Sequence, residues 1–397
     1  MEIRMDKPTL LIGIDGGATK VSAWEIIHDT EKSTFSLGNA SVTKSYREID
    51  RFIPNFKPLD LPTQLHERDV AAINPTSEEK QQAAVYVEAC AQAIACLTEK
   101  ISCANVLIGI GMPGLKTVDK RGIAVVANGP RMLDYAQNLE KRLKELNIKL
   151  LAPISHLGSD ADYCGIGENY SDEGLFRTAK NAYYLGGGTG VADAMKLDGK
   201  LLTFDNAKTW IAKTWEMKSE EGLPLERVTS VSGIQKTYSE FTGKTVEELN
   251  SAGIFPLQIS ELAKQGEKAA IKTFELVNNN LAKLLYERIV TLNRGWPDLF
   301  GFVNPNRVKP VSEHEHIGKV FDTIVIGQRL GDLFEDKIGN EIVKTPILYR
   351  LHKLIQNSEH LDGYVKTHYQ NLDSIVKTSK LREAPALGAG IDAFLSK

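Results

Sequence analysis

Ile12-Gly13-Ile14-Asp15-Gly16-Gly17-Ala18-Thr19-Lys20 decides how this chain is read. A hydrophobic run, Leu10 to Ile14, ends in an acidic residue. Two glycines and a Thr-Lys pair follow, and a second strand-like run, Val21 to Ile27, begins at once. The pattern predicts a tight β-hairpin whose turn can approach a phosphate chain. Glycine removes the Cβ that would keep the backbone away. Exposed N–H groups, the Thr19 hydroxyl and the Lys20 ammonium are donors for phosphate oxygens. Asp15 is a hard oxygen ligand of the kind that holds Mg²⁺, usually through its waters. Gly-rich turns between strands are common, so the weight of this one comes from what recurs downstream.

The recurrence lies at 181–197. Asn181 to Gly186 and Val191 to Leu197 read as a second hairpin around Gly186-Gly187-Gly188-Thr189-Gly190. Between and around the two hairpins, strands alternate with helices. Strand-like runs at 9–15, 20–28 and 33–41 predict a three-stranded antiparallel meander. A helix is expected over about 78–100, with Ser77 as its cap and Lys80 at N3. Ala104 to Met112 is a continuous apolar run of the buried, parallel-strand type, stopped by Pro113-Gly114. Further expectations are a helix at 131–146, a strand at 149–156, a long helical region at 258–293, a strand at 321–326 with a helix near 329–337, and a terminal helix at 384–395. The proline-spaced segment 45–77 reads as an irregular surface excursion. The class is α/β.

Composition narrows the function. The 397 residues give a prior of two or three domains. A net charge of −3 argues against a nucleic-acid surface. No stretch approaches the ~20 apolar residues of a membrane span. The opening MEIRMDKPTL lacks an apolar signal core, so a cytoplasmic protein is expected. Cys90, Cys96, Cys103 and Cys164 form no C-x-x-C pair and no zinc spacing. His314-Glu315-His316 sits in a loop-like context and does not read as a metal site. Neither a G-x-S-x-G elbow nor a Walker A motif is present.

Two phosphate hairpins suggest phosphoryl transfer, which needs positioned phosphates, neutralising cations and a base for the attacking hydroxyl. The first loop offers Asp15, Thr19 and Lys20, and the second offers backbone N–H groups and the Thr189 hydroxyl. Ile326-Gly327-Gln328 and Ala386-Leu387-Gly388-Ala389-Gly390 are turns whose small residues would let an adenine or ribose lie close to backbone. For the last of these, helix packing through small side chains is the competing reading. Asp160 and Asp162 follow a strand at the start of a short helix. Either can be the base, and either can be an N-terminal helix carboxylate. Asn128 both donates and accepts, which suits vicinal sugar hydroxyls. Glu168 and Glu216 are further acceptor candidates, each with a solvated-surface alternative.

In combination these motifs resemble the sugar-kinase and actin-like ATPase superfamily, and within it the ROK family. Asp15-Gly16-Gly17-Ala18-Thr19-Lys20 is similar to that family's first phosphate motif, and Gly109-Ile110-Gly111-Met112-Pro113-Gly114 to its G-I-G-x-P-G strand end. Asn128 falls where the family has a sugar-contacting Asn. Ser159-Asp160-Ala161-Asp162 with Gly167-Glu168 resembles its N-D-A-N…G-E segment. Leu185 to Gly190 followed by Asp198-Gly199-Lys200-Leu201 resembles the second phosphate motif, and Ile324 to Gly327 and Ala384 to Gly390 the late nucleotide turns.

The resemblance implies a two-lobed ribonuclease-H-like fold of the actin/hexokinase type with an interlobe cleft. It places an N-terminal lobe at 1–155, on which helix 385–397 packs back, and a C-terminal lobe at 156–384. It implies a glucokinase-like, ATP-dependent phosphorylation of a hexose or related sugar, with Asp160 as general base and Asp15 positioning Mg²⁺. Nucleotide contacts fall on Gly16, Gly17, Thr19, Lys20, Gly187, Gly188, Thr189, Gly190, Gly327, Gln328 and Gly388. Sugar contacts fall on Gly114, Asn128, Ser159, Asp160 and Glu216. ATP, Mg²⁺ and a sugar are the expected small molecules, and a homodimer is a family expectation.

Departures leave two rivals. Trp215-Glu216-Met217-Lys218 and Leu225-Glu226-Arg227 lack the family's Glu-x-Gly-His element and its zinc-binding cysteines, so structural zinc is not expected. A sugar- or nucleotide-sensing protein of the same fold is the first rival. An N-acetylhexosamine kinase or BadF-type ATPase is the second. Only nine residues precede the first strand, which leaves no room for the helix-turn-helix of the family's repressors.

Overall fold

In the computed structural model, which describes residues 9–103 and 105–397, Leu10–Gly16 (β1) and Lys20–Asp29 (β2) pair antiparallel, with Asp15 opposite Ser22 and Gly16 opposite Val21. The readings placed on Met1–Pro8 and on Ala104 lie outside the described residues. Thr34–Ser45 (β3) completes the meander on β2. Asn105–Gly111 (β4) runs parallel to β1 and is buried from Val106 onward, which is why it reads as one unbroken apolar run. Lys149–Leu150 (β5) continues the sheet in the order β3-β2-β1-β4-β5, and Leu157–Gly158 pairs with the far end of β4. The strand expected over 149–156 is thus two short pieces. Pro153 lies between them and has no N–H for a ladder.

The 45–77 excursion is more ordered than its prolines suggest. Tyr46 is buried, at 1% exposure. Leu61–Asp69 (α1) is a helix capped by Asp60, whose Oδ1 accepts from Thr63 N at 3.0 Å. Pro62 stands in the first turn, where a missing N–H costs no intrahelical bond. Ser77–Ile101 (α2) is capped by Thr76 rather than Ser77, so N3 is Glu79 rather than Lys80 and the capping box is complete. Tyr135–Glu145 (α3) and Asp160–Tyr170 (α4) follow.

The chain divides into two units, one running to Asp172 and taking in Glu383–Lys397, the other spanning Glu173–Arg382. The division falls after α4 rather than after residue 155, because α4 packs against the C-terminal helix Ala384–Leu395. That helix meets the first sheet backbone to backbone. A Cβ on Gly13 would lie 1.8 Å from Ala386 O, and one on Gly109 1.8 Å from Ala389 O.

The second unit repeats the first sheet's design. Ala182–Gly187 (β6) and Val191–Leu197 (β7) form its hairpin, with Gly186 opposite Ala192 and Gly187 opposite Val191. Lys200–Leu202 (β8) extends the meander, and Thr323–Gly327 (β9) and Val376–Thr378 (β10) add in parallel, giving β8-β7-β6-β9-β10. The expected helix over 258–293 is broken into Pro256–Lys264 and Lys268–Arg294 (α5) at Gly266, whose φ of +90° no helix accepts. Gln328–Glu335 (α6) follows β9 directly.

An ionic cluster lies in this unit's core. Asp193 on β7 accepts from Tyr183 Oη at 2.6 Å, Thr214 N at 2.8 Å and Thr214 Oγ1 at 2.7 Å. Arg288 of α5 stands 3.4 Å from Asp193 and 2.9 Å from Glu287. Burial, with Asp193 adding to it, raises the Glu287 pKa. The lengthened regions 205–225 and 300–320 pack on each other: His314 stacks on Trp210 at 4.1 Å and Val311 N donates to Thr209 O at 2.8 Å. No helix among the described residues is long and apolar enough to cross a membrane.

Candidate functional site

The turn of the first hairpin is held by its own backbone and by two distant tyrosines. Gly17 N donates to Lys20 O at 2.9 Å. Tyr46 Oη donates to Gly17 O at 3.0 Å, and Tyr86 Oη to Ala18 O at 2.8 Å. Neither the Ala18 nor the Thr19 N–H has an acceptor among the described residues. Thr19 and Lys20 are exposed.

Asp15 ends β1 beside this turn. Its carboxyl pKa is pushed up to about 7, chiefly by burial, then by the carboxylates of Asp160 and Glu383, with Lys20 opposing. Asp160 therefore lies within electrostatic reach of Asp15, in the same unit. It occupies the first position of α4 and its Oδ1 accepts from Ala161 N at 3.0 Å, while Ser159 is the N-cap residue and makes no side-chain cap bond. Asp160 is thus an N-terminal helix carboxylate, one position inside the N-cap held by Ser159. Glu168 is fully buried in α4, which removes its solvated-surface reading.

The acceptor-side residues sit on loops with identifiable supports. Gly114 has a φ of +97°, and a Cβ there would meet Val125 O at 2.5 Å, so the turn itself requires glycine. Asn128 is exposed in the bend after the short strand Ile123–Val125. That bend is clamped at both ends from the 61–79 stretch. The Gln64 amide accepts from Val126 N at 2.9 Å and donates to Val126 O at 3.0 Å, as a neighbouring strand would. Buried Arg131 forms a two-pronged pair with Glu79, at 2.8 and 2.7 Å, and also bonds Glu67.

In the second unit the Gly188 N–H is taken inside the turn by Gly190 O at 2.9 Å, so it is not a free phosphate donor as expected. The Thr189 and Gly190 N–H groups have no acceptor among the described residues. The two hairpins therefore share one pattern: the first turn N–H is closed internally and the next two have no acceptor among the described residues. Gln328, at φ +55°, brings its side chain over this turn, with Oε1 3.0 Å from where a Gly188 Cβ would be. Gly327 packs where a Cβ would strike the Tyr184 hydroxyl, 2.2 Å away. Glu226 Oε1 accepts from Val191 N at 3.2 Å.

Two expected contacts serve other ends. A Cβ on Gly388 would lie 1.9 Å from Tyr163 O, so this glycine belongs to helix packing in the first unit rather than to a nucleotide turn. Glu216 uses Oε2 to accept from Lys213 N at 2.8 Å and Oε1 to meet Arg307 Nε at 3.2 Å, which commits both carboxylate oxygens to local structure. Tyr46, Tyr86, Gln64, Arg131 and Glu383 escaped the sequence reading. Only Glu79 left a signal, the T-x-x-E capping box that begins at Thr76.

Among the described residues, no group of three or more His, Cys, Asp and Glu side chains is arranged to hold a metal ion. Mg²⁺ commonly needs no such cage, since one or two carboxylates, waters and substrate phosphates suffice. Asp15, crowded by two other carboxylates, is a donor whose charge a cation would relieve.

The fold is that of the ROK-family sugar kinases. A ROK-family glucokinase from Streptomyces griseus, solved with glucose and AMPPNP, superposes with a TM-score of 0.58 at 16% identity, over 97% of this chain and 99% of that one. The ROK hexokinase of Thermus thermophilus gives 0.54 at 15%, over 98% and 99%. A ROK-family transcriptional regulator homologous to the Escherichia coli MLC protein gives 0.51 at 11%, over 98% of this chain and 81% of that one. No protein-family model and no curated sequence matches the chain.

Proposed function

We propose that this chain is a sugar kinase that transfers the γ-phosphoryl group of Mg-ATP to a hydroxyl of a hexose or related sugar. The observation that carries the reading is the meeting, within one unit, of Asp15, Asp160 and a hairpin turn with two outward N–H groups. The solved glucokinase with glucose and AMPPNP shares the fold and supports the choice of ligands.

Each residue has a distinct task. Ala18 and Thr19 N–H, the Thr19 hydroxyl and Lys20 bind phosphate oxygens. Asp15 would hold Mg²⁺, which would supply positive charge to offset that of the transferred phosphoryl group. Asn128 orients the sugar by donating to one hydroxyl and accepting from its neighbour. Asp160 accepts the proton of the attacking hydroxyl as that oxygen bonds to the γ-phosphorus and ADP departs with the bridging oxygen.

Asp160→Asn removes the proton acceptor and keeps the size. Turnover should fall about 10²–10⁴-fold, while ATP binding stays within about threefold of wild type. A coupled ADP-release assay over hexoses, N-acetylhexosamines and polyols measures the first, and calorimetry with MgADP the second. Sugar-dependent turnover that survives in the variant would remove Asp160 from the role.

One observation favours a second reading. With Glu216 committed to Lys213 and Arg307, a candidate sugar contact is lost, as a sensing protein of this fold would tolerate. That reading expects saturable sugar or nucleotide binding and no phosphorylated product on any acceptor.

A further inference from the structure

The first hairpin turn contains Gly17, and glycine permits a peptide to rotate at little steric cost. A phosphate site cannot tolerate that rotation, because the N–H groups must all face the anion. In a trans peptide the carbonyl of one residue and the N–H of the next point in opposite directions across the same plane. Whatever captures the carbonyls of residues 17 and 18 therefore aims the N–H groups of residues 18 and 19.

Three consecutive carbonyls are captured by Tyr46 and Tyr86. Gly17 O accepts from Tyr46 Oη at 3.0 Å, Ala18 O from Tyr86 Oη at 2.8 Å, and Thr19 O from Tyr46 N at 3.1 Å. The two phenol rings stack with centroids 3.6 Å apart and planes 18° from parallel. Tyr46 follows β3 and Tyr86 lies on α2, so the turn is anchored to two elements of the first unit. Both rings are buried, at 1% and 5% exposure. The Tyr86 hydroxyl also abuts the bend that carries Asn128, since a Cβ on Gly129 would lie 3.2 Å from it.

We propose that Tyr46 and Tyr86 are positioning residues that lock the 17–19 turn with its Ala18 and Thr19 N–H groups facing the nucleotide phosphates. This inference rests on the kinase reading for the identity of the anion. Burial pushes the Tyr86 hydroxyl up to about 12 and that of Tyr46 well above its usual value, so both remain donors across the working pH range.

Tyr46→Phe and Tyr86→Phe keep the stack and remove only the hydroxyls. Each should weaken MgADP binding about tenfold in calorimetry, the loss expected of one net hydrogen bond. KM for ATP should rise alike in the coupled assay, with KM for the sugar unchanged in Tyr46→Phe. Tyr135→Phe is the control: it removes a hydroxyl from the same core, but one whose partner is Cys90 rather than the turn. It should bind MgADP as wild type does. Normal MgADP binding by both turn variants, or equal weakening in Tyr135→Phe, would overturn the proposal. If wild type binds MgADP yet phosphorylates no sugar, the kinase reading fails and the variants still decide the tyrosines. If wild type binds no MgADP, the turn is not a phosphate site and both fall.

Discussion

Asp15 must be a carboxylate to hold a cation, yet its surroundings favour the acid. Its pKa in the folded chain is about 7, against the ordinary carboxylate value near 4 in the unfolded chain. Between those values the folded chain holds a proton that the unfolded chain releases. The stability this group contributes is complete below the unfolded pKa and is lost as pH rises through about 7. Metal-free protein should therefore lose thermal stability between pH 6 and pH 8, and Asp15→Asn should lose less. Melting curves of both proteins at the two pH values check this, and equal losses would remove the assignment. Burial also explains what residue-level reading missed. Small residues at 386–390 suit a packing seam more readily than a nucleotide turn, and the Tyr163 carbonyl against Gly388 fits the seam. Tyr46 and Tyr86 carry no motif at all, because their function depends on which carbonyl lies at the end of a hydroxyl.

Among the elements, strands were more readable than loops. The hairpins and β4 announce themselves by apolar runs that end at glycine, since a strand buried on both faces has no other composition available. The prolines of 45–77 mislead because proline marks a break in most places and a helix start in a few, and Pro62 is one of the few. Sequence alone gives Gly13 and Gly109 no packing role. That role comes from the C-terminal helix, whose backbone sits directly over Gly13 and Gly109. Gly109→Ala places a methyl 1.8 Å from Ala389 O, so helix or sheet must move. Overpacking of this kind costs about 1–3 kcal/mol or more. A lowered urea midpoint with unchanged m-value is expected, and an unchanged midpoint would show that the helix shifts freely.

For the molecule as a whole, two sheets of one strand order carry unequal hairpins. Asp15 pairs with Ser22, whereas Gly186 stands at the matching place opposite Ala192. The second hairpin thus carries no carboxylate at the place Asp15 holds in the first. One step further along, Ala23 of the first hairpin corresponds to Asp193 of the second. Asp193 in turn requires Arg288. Arg288→Met would leave Asp193 and Glu287 buried without a cation, at a cost of about 3–5 kcal/mol. The denaturation midpoint followed by tryptophan fluorescence should fall, with partial recovery toward pH 5 as Glu287, whose pKa burial raises, takes up a proton. A wild-type midpoint would show that the cluster is neutral without arginine. The recurring hairpin was readable from glycine spacing, while the Asp193–Arg288 cluster joins residues 95 positions apart and left no local trace.

The first unit is interrupted at Asp172 and resumed at Glu383. A ribosome reads the chain in one direction, so the opening sheet waits through 210 residues for its last helix, while the inserted unit has all of its own strands to hand sooner. The part of the protein begun first is thus the part completed last. Until that helix emerges, the sheet face over Gly13 and Gly109 is a surface for chaperones to shield.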